Sequence, residues 1–236
     1  MASEHQQAER ALRDRDAAAY DSWYRRTKGV GFDVREVSLV TAQAGDGHGL
    51  ALDVGGGTGR VARALRRSGR IQVVIVDLSE ASLQLARSNG SGIGVQASAA
   101  EGLPVRPASF EVITACQVLQ HLDENELAAA LVEFRRAVRP GGTLVIAGYN
   151  GAARRYAAVR EERYDNGLWA FRRHPDAVAS AASRAGFSLD AERFYSLLPL
   201  HRLPAALGVS LDRLVCSIRP AALNRAGYVV QRYAAT

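Results

Sequence analysis

Apolar residues follow two rhythms along this chain. Between residues 51 and 149, short apolar runs alternate with stretches of helical periodicity. LALDVG, IQVVIVDLS, GIGVQAS, FEVITACQVL and GGTLVIAGYN are predicted strands, and GRVARALRRSG, EASLQLARSNG and ELAAALVEFRRAVRP are predicted helices. Strands joined by single helices imply right-handed crossovers and a parallel sheet covered on both faces. The first forty residues read as helical, with Tyr20, Trp23 and Tyr24 at helical spacing, REVSLVTAQA as a further helix and GDGHG as a loop. Beyond residue 150, GAARRYAAVREERYDNGLWAFRRH reads as an amphipathic cover. PDAVASAASRAGF is a predicted helix, and FSLDAERFYS and GYVVQRYA are predicted strands. The Leu-rich insertion LLPLHRLPAALGVSLDRLVCSIRPAALNRAG is expected to form helices that close a pocket or make a dimer contact. The expected organisation is an N-terminal helical cap over 1–45, a cofactor-binding α/β core over 46–150, and a substrate cover over 151–236 that completes a seven-stranded, doubly wound sheet.

Composition narrows this picture. With 236 residues and 47% hydrophobic content, one compact domain can bury a sizeable core. No run of about 18 apolar residues occurs, and the start MASEHQQAERALRDRD lacks an apolar signal core, so a cytoplasmic protein without an integral membrane segment is expected. Cys116 and Cys216 lie far apart without a C-x-x-C pairing, which gives no disulfide framework and no zinc site. The net charge of +6 rests almost wholly on arginine, since Lys28 is the only lysine; Ala and Arg enrichment matches a GC-rich bacterial genome. Charge alone therefore does not make nucleic acid an expected partner.

The chemistry starts at ALDVGGGTGR, residues 51–60. Gly55, Gly57 and Gly59 give a G-x-G-x-G spacing at a strand-to-helix turn, where ligands bind in such sheets. Arg60-Val61 after the last glycine excludes a P-loop, and a dinucleotide fingerprint fits only when forced onto residues 57–62. Asp53, ahead of the glycines, would repel a pyrophosphate but can accept from an ammonium or fix the loop. Asp77, ending VVIVD, is placed to accept both hydroxyls of a ribose. Ribose without pyrophosphate points to S-adenosylmethionine.

Taken together, residues 20–150 resemble the class I S-adenosylmethionine-dependent methyltransferases, in their small-molecule, menaquinone- and ubiquinone-methylase-like branch. LDVGGGTGR, VDLSEASLQLAR, AAEGLPVRPASFEVI, CQVLQHL and EFRRAVRPGGTLVI are similar to five ordered motifs of that family. The resemblance implies a Rossmann-like fold with S-adenosylmethionine as cofactor. By it, Gly55, Gly57 and Gly59 would let the methionine part and adenosine approach, Asp53 would lie near the ammonium, Asp77 would hold the ribose and Leu78 would lie against the adenine. Cys116 and Gln117 would line the methionine and methyl end. Apart from the resemblance, the helical face of Tyr20 and Tyr24 is expected either to contact the cofactor or substrate or to pack on the main domain. The family's adenine-binding Asp is Ala99 here, so Ser98 or the Ala100 amide would substitute, at a cost of about 0.5–1.5 kcal/mol for a lost neutral hydrogen bond. Arg139-Pro140-Gly141-Gly142 reads as a structural helix stop and turn.

The expected reaction is methyl transfer to a small-molecule acceptor, with O-methylation in natural-product or quinone-like secondary metabolism. Positioning dominates such a displacement, and a base is needed only for an acceptor of high pKa. His121 is the candidate base, with a structural role at a helix start as the plain alternative; His174 and His201 follow. Arg154, Arg155, Arg172 and Arg173 could neutralise an acidic acceptor or form a solvated face. Asp123, Glu124 and Glu126 are read as helix capping, and no metal site is expected. An RNA methyltransferase and a cofactor-binding protein with a non-methylating role are the alternatives, and the protein is expected as a monomer or homodimer.

Overall fold

The computed structural model describes residues 4–25, 27–46, 49–69, 72–156, 161–164, 168–198, 203–218 and 224–236. Two helices open the chain, α1 (Glu4–Arg25) and α2 (Thr27–Ala44). The alternating core follows as β1 (Ala51–Val54), α3 (Arg60–Arg67), β2 (Val73–Asp77), α4 (Glu80–Ser88), β3 (Ile93–Gln96), β4 (Phe110–Cys116), α5 (Glu124–Ala137) and β5 (Val138–Tyr149). A two-stranded ribbon of β6 (Glu161–Arg163) and β7 (Trp169–Phe171) precedes α6 (Pro175–Arg184), β8 (Phe187–Tyr195), α7 (Ala205–Ile218) and β9 (Tyr228–Ala235).

Seven strands form one sheet in the order β3-β2-β1-β4-β5-β9-β8. The first five are parallel, and β9 pairs antiparallel with both β5 and β8. All four residues of β1 are buried, as are six of the seven in β4, because helices cover both faces of these central strands. Strand order reverses between β1 and β4, so the crevice at their carboxyl ends is where this architecture takes a ligand.

Local signals explain most boundaries. Ser79 caps α4 by accepting from the Ser82 amide, and Asp123 with Glu126 forms a capping box on α5. The Arg139–Gly142 stretch proves to lie within β5 as an irregularity: Phe110 pairs with Val138 and Val112 with Thr143, so the chain bows out between two pairings. The expected amphipathic cover after residue 150 is a short ribbon where it is described, and α7 packs on α2 instead of closing the cavity. The Trp23 side chain and His201 lie outside the described residues. Among the described residues, no helix is long and apolar enough to cross a membrane.

Candidate functional site

The glycine loop is a closed hydrogen-bonded unit. Gly55 and Gly56 donate to the Val76 carbonyl at 2.7 and 3.3 Å, Gly57 donates to Asp77 Oδ2 at 2.8 Å, and Gly59 donates to the Gly56 carbonyl at 2.9 Å. These four glycine amides are used within the protein and are not turned outward toward a phosphate. Steric demands also differ among the glycines. A Cβ on Gly55 would meet Val118 at 2.5 Å, one on Gly56 would meet Asp53 and Ile75 at 2.7 Å, and one on Gly59 would meet Ser91 at 2.2 Å. Gly57, with φ +54, has no such neighbour nearer than Asp77 Oδ2 at 4.0 Å, and it faces a cavity. Gly59 thus serves helix packing rather than the close ligand approach expected of it.

That cavity, about 480 Å³, opens at the carboxyl ends of β1 and β4 and lies in the size range of small-molecule sites. Its charged lining comprises Glu9, Asp16, Asp53 and Asp77 against Arg13 and Arg60, an acidic balance inside a chain of net charge +6. An adenosyl sulfonium with an amino acid end is complementary to such a lining, and a pyrophosphate is not.

Asp53 is wholly buried; Oδ1 accepts from Thr114 Oγ1 at 2.7 Å and Oδ2 from the Ala62 amide at 3.1 Å. Burial pushes its carboxyl up to about 6, against the pull of Thr114, Arg60 and the Ala62 amide. The carboxylate therefore fixes the start of α3 while also lining the cavity. Asp77 Oδ1 accepts from the Ser79 amide at 2.9 Å, and its other oxygen holds Gly57. Burial raises its pKa as well, opposed by these two amides.

Sequence reasoning missed a network beneath the cavity. Arg60, the first residue of α3, places Nη1 2.6 Å from Asp33 Oδ1, Nη2 2.5 Å from Glu36 Oε2, and its guanidinium 4.5 Å from the Tyr24 ring centroid. Burial works against the Arg60 charge, but Glu36, Cys116, Tyr24 and Asp33 outweigh it, so its pKa rises well above the ordinary value. Glu36 is fully buried, and its Oε1 accepts from Gln117 Nε2 at 2.6 Å and from the Tyr195 hydroxyl. Gln117 follows β4 in the left-handed region, φ +58, a non-glycine strain of about 1–3 kcal/mol that surrounding structure must hold. One signal in the sequence did mark Glu36: it lies on the same helical stripe as Phe32, Leu39 and Val40, all buried.

The roof is α1. Leu12, Arg13, Ala17 and Tyr20 face the cavity, and Tyr24 stacks edge-on with Tyr20, their hydroxyls 3.1 Å apart. Polar side chains hold the helix down. Asp14 accepts from Ser79 Oγ at 2.6 Å and the Ala81 amide at 3.2 Å, Asp21 accepts from Thr58 Oγ1 at 2.5 Å, and Gln6 bridges Ser98 and Glu126. His121 ends a short 3-10 turn, Leu119–His121, with Nδ1 2.8 Å from the Trp169 carbonyl. That nitrogen carries the proton, leaving Nε2 to accept from Arg13 at 3.3 Å. Glu9 Oε1 stands 3.7 Å from Nδ1 and 3.3 Å from Arg13.

Of the expected site residues, Tyr20, Tyr24, Asp53, Gly55, Gly57, Asp77, Leu78, Cys116, Gln117 and His121 line this one cavity. Gly59, Ala99 and Ala100 are not in its lining; Ser98, which receives the Ala100 amide, is covered by Gln6 of α1. His174 caps α6 on the surface by accepting from the Asp176 amide. The arginines of the cover have protein partners: Arg172 pairs with Glu162, Arg173 with Glu124 and the Leu119 and Leu122 carbonyls, and Arg155 with the Ser196 carbonyl. Cys216 is half-buried and is not in the cavity's lining.

Residues 52–146, from β1 into β5, match the family described as Methyltransferase domain. The methyltransferase-domain match thus falls on the segment that carries the glycine loop, Asp77 and Gln117. A ubiquinone/menaquinone biosynthesis C-methyltransferase of Desulfotalea psychrophila is 37% identical to the chain over 120 residues, 49% of this chain and 48% of that protein. The chain therefore spans about half the length of the curated relatives it matches. The structure of an S-adenosylmethionine-dependent methyltransferase from Mesorhizobium loti shares the fold at TM-score 0.66 and 19% identity, covering 85% of this chain and 97% of that one. A [4+2]-cyclase shares it too, at TM-score 0.60 and 21% identity, covering 84% and 79%. The methyltransferase fold thus carries more than one chemistry, and the site has to decide.

Proposed function

We propose that the chain is an S-adenosylmethionine-dependent methyltransferase acting on a small-molecule, phenol- or hydroquinone-like acceptor. The observation that carries this reading is the acidic cavity over Gly57 and Asp77, where four glycine amides of the loop are bonded within the protein and the carboxylates of Asp53 and Asp77 oppose a phosphate. When bound, S-adenosylmethionine supplies an activated methyl group for in-line displacement. The residues around it bind, orient and exclude water. Asp77 and Leu78 would take the ribose and adenine, Gly57 permits close approach, and Asp53, Cys116 and Gln117 surround the amino acid end. Tyr20, Tyr24 and Leu12 close the site from above and keep it dry. His121 would accept the acceptor's proton at Nε2 once Arg13 has moved aside toward Glu9, its neighbour one turn away.

Oxygen is the expected receiving atom. The C-methyltransferase names of the relatives bring in carbon, and a phenolate shares its charge between oxygen and ring carbon, so acceptor placement selects between them. The test is incubation with methyl-labelled cofactor and a panel of phenols and hydroquinones, with products assigned by NMR. Labelled methyl on oxygen or ring carbon supports the reading. Cofactor binding with no transfer to any member of the panel, but conversion of an acceptor without methylation, would favour a non-methylating role.

A further inference from the structure

Glu36 touches neither end of the cavity lining, yet it joins three elements beneath it. Its carboxylate receives Arg60 from α3, Gln117 from the end of β4 and the Tyr195 hydroxyl from β8, and it is fully buried. Both oxygens are occupied by donors that differ widely in sequence position. Two of those donors, Arg60 and Gln117, line the cavity at its methionine side, next to Cys116 and Gly55. Gln117 holds a left-handed backbone that its own side-chain type does not favour, so something outside the strand must keep it there. Arg60 is similarly constrained, clamped between two acids of α2 and the Tyr24 ring. A hydrogen-bonding or charge change at one buried carboxylate would release both walls at once.

We infer that Glu36 is a positioning residue for the amino acid end of the cofactor, acting through Gln117 and Arg60 without touching the ligand. This rests on the cofactor reading given above. The brace lies under one end of the cavity only; the ribose end, at Asp77 and Leu78, is tied through Gly57 and Ser79 instead. Ligands that carry the amino acid end must therefore sense Glu36, and ligands that lack it must not.

The test compares two ligands by calorimetry, S-adenosylhomocysteine and 5′-methylthioadenosine, which share the nucleoside and differ in the amino acid end. Glu36→Gln is expected to weaken S-adenosylhomocysteine by about tenfold, the loss of one charge-assisted contact, while 5′-methylthioadenosine stays within about twofold. Tyr195→Phe removes another of the carboxylate's donors from outside the cavity lining, and it is expected to show the same selective loss, about threefold. It carries the test alone if Glu36→Gln does not fold. A purely structural role would weaken both ligands by one factor, and that result, or no change in either, overturns the inference. Failure of the wild-type protein to bind either ligand would instead overturn the cofactor reading on which it stands.

Discussion

The floor and the roof of the cavity are built from different interactions. Leu52, Ile113 and Ala115 in the floor strands are fully buried, and β1 and β4 each have a paired strand on both sides. In α1, by contrast, Leu12 and Ala17 are the buried apolar side chains among the described residues, and the helix is held by Asp14, Asp21, Gln6 and Arg13. Hydrogen bonds of that kind contribute about 0.5–1.5 kcal/mol each, and water replaces them when they part. Apolar burial has no such substitute. A floor of this type sets global stability, while a roof of this type can open to admit a ligand without unfolding the sheet.

Four changes sharpen or break the contrast. The largest effect is expected from Arg60→Met, which strands Glu36 as an unpaired buried carboxylate; chemical denaturation should show a loss of about 3–5 kcal/mol. Ile113→Ala, in the middle of β4, should cost about 2–5 kcal/mol by the same measurement, and a loss below 1 kcal/mol would contradict the assignment of stability to the floor.

Third comes pH. Asp53 has its carboxyl raised to about 6 by burial, so below that value it holds a proton, and a cationic ammonium can pair with it only after the proton leaves. Affinity for S-adenosylhomocysteine should then be flat above pH 7 and fall through pH 6, by about tenfold at pH 5. Asp53→Asn should abolish that dependence. A pH-independent wild-type affinity would mean that Asp53 serves only the loop.

The smallest effect belongs to the roof. Asp14→Ala removes the cap that α1 lends to α4 and should cost about 1 kcal/mol of stability, while amide exchange across α1 speeds up and that of β4 stays unchanged. Equal acceleration in both would show floor and roof opening together.

The same division governs what could be seen in the sequence. The floor is local: VVIVD ends in Asp77, LDVGGGTG turns in five residues, and the ladder between them follows from parallel pairing, so Asp77 and Gly57 were legible together. Glycines that look alike in the sequence were not separable, because what excludes a side chain at Gly59 is Ser91, well along the chain after α4. Glu36, Arg60, Gln117 and Tyr195 come from α2, α3, the turn after β4 and β8, and no local pattern announces that they meet. Only an acid on an apolar helical stripe hinted at it. The arginine-rich cover read as a possible anion site, but Arg172 and Arg173 answer to Glu162 and Glu124, partners that arrive through the ribbon and the start of α5.

Calorimetric titration of S-adenosylhomocysteine into the wild-type protein and a Gly57→Leu variant tests the central claim most directly. Gly57 needs a positive φ and faces the cavity, so a leucine there should retain the circular-dichroism spectrum of the sheet but lose binding, against one-to-one binding by the wild type. Unchanged affinity in the folded variant would show that the ligand does not lie over this loop.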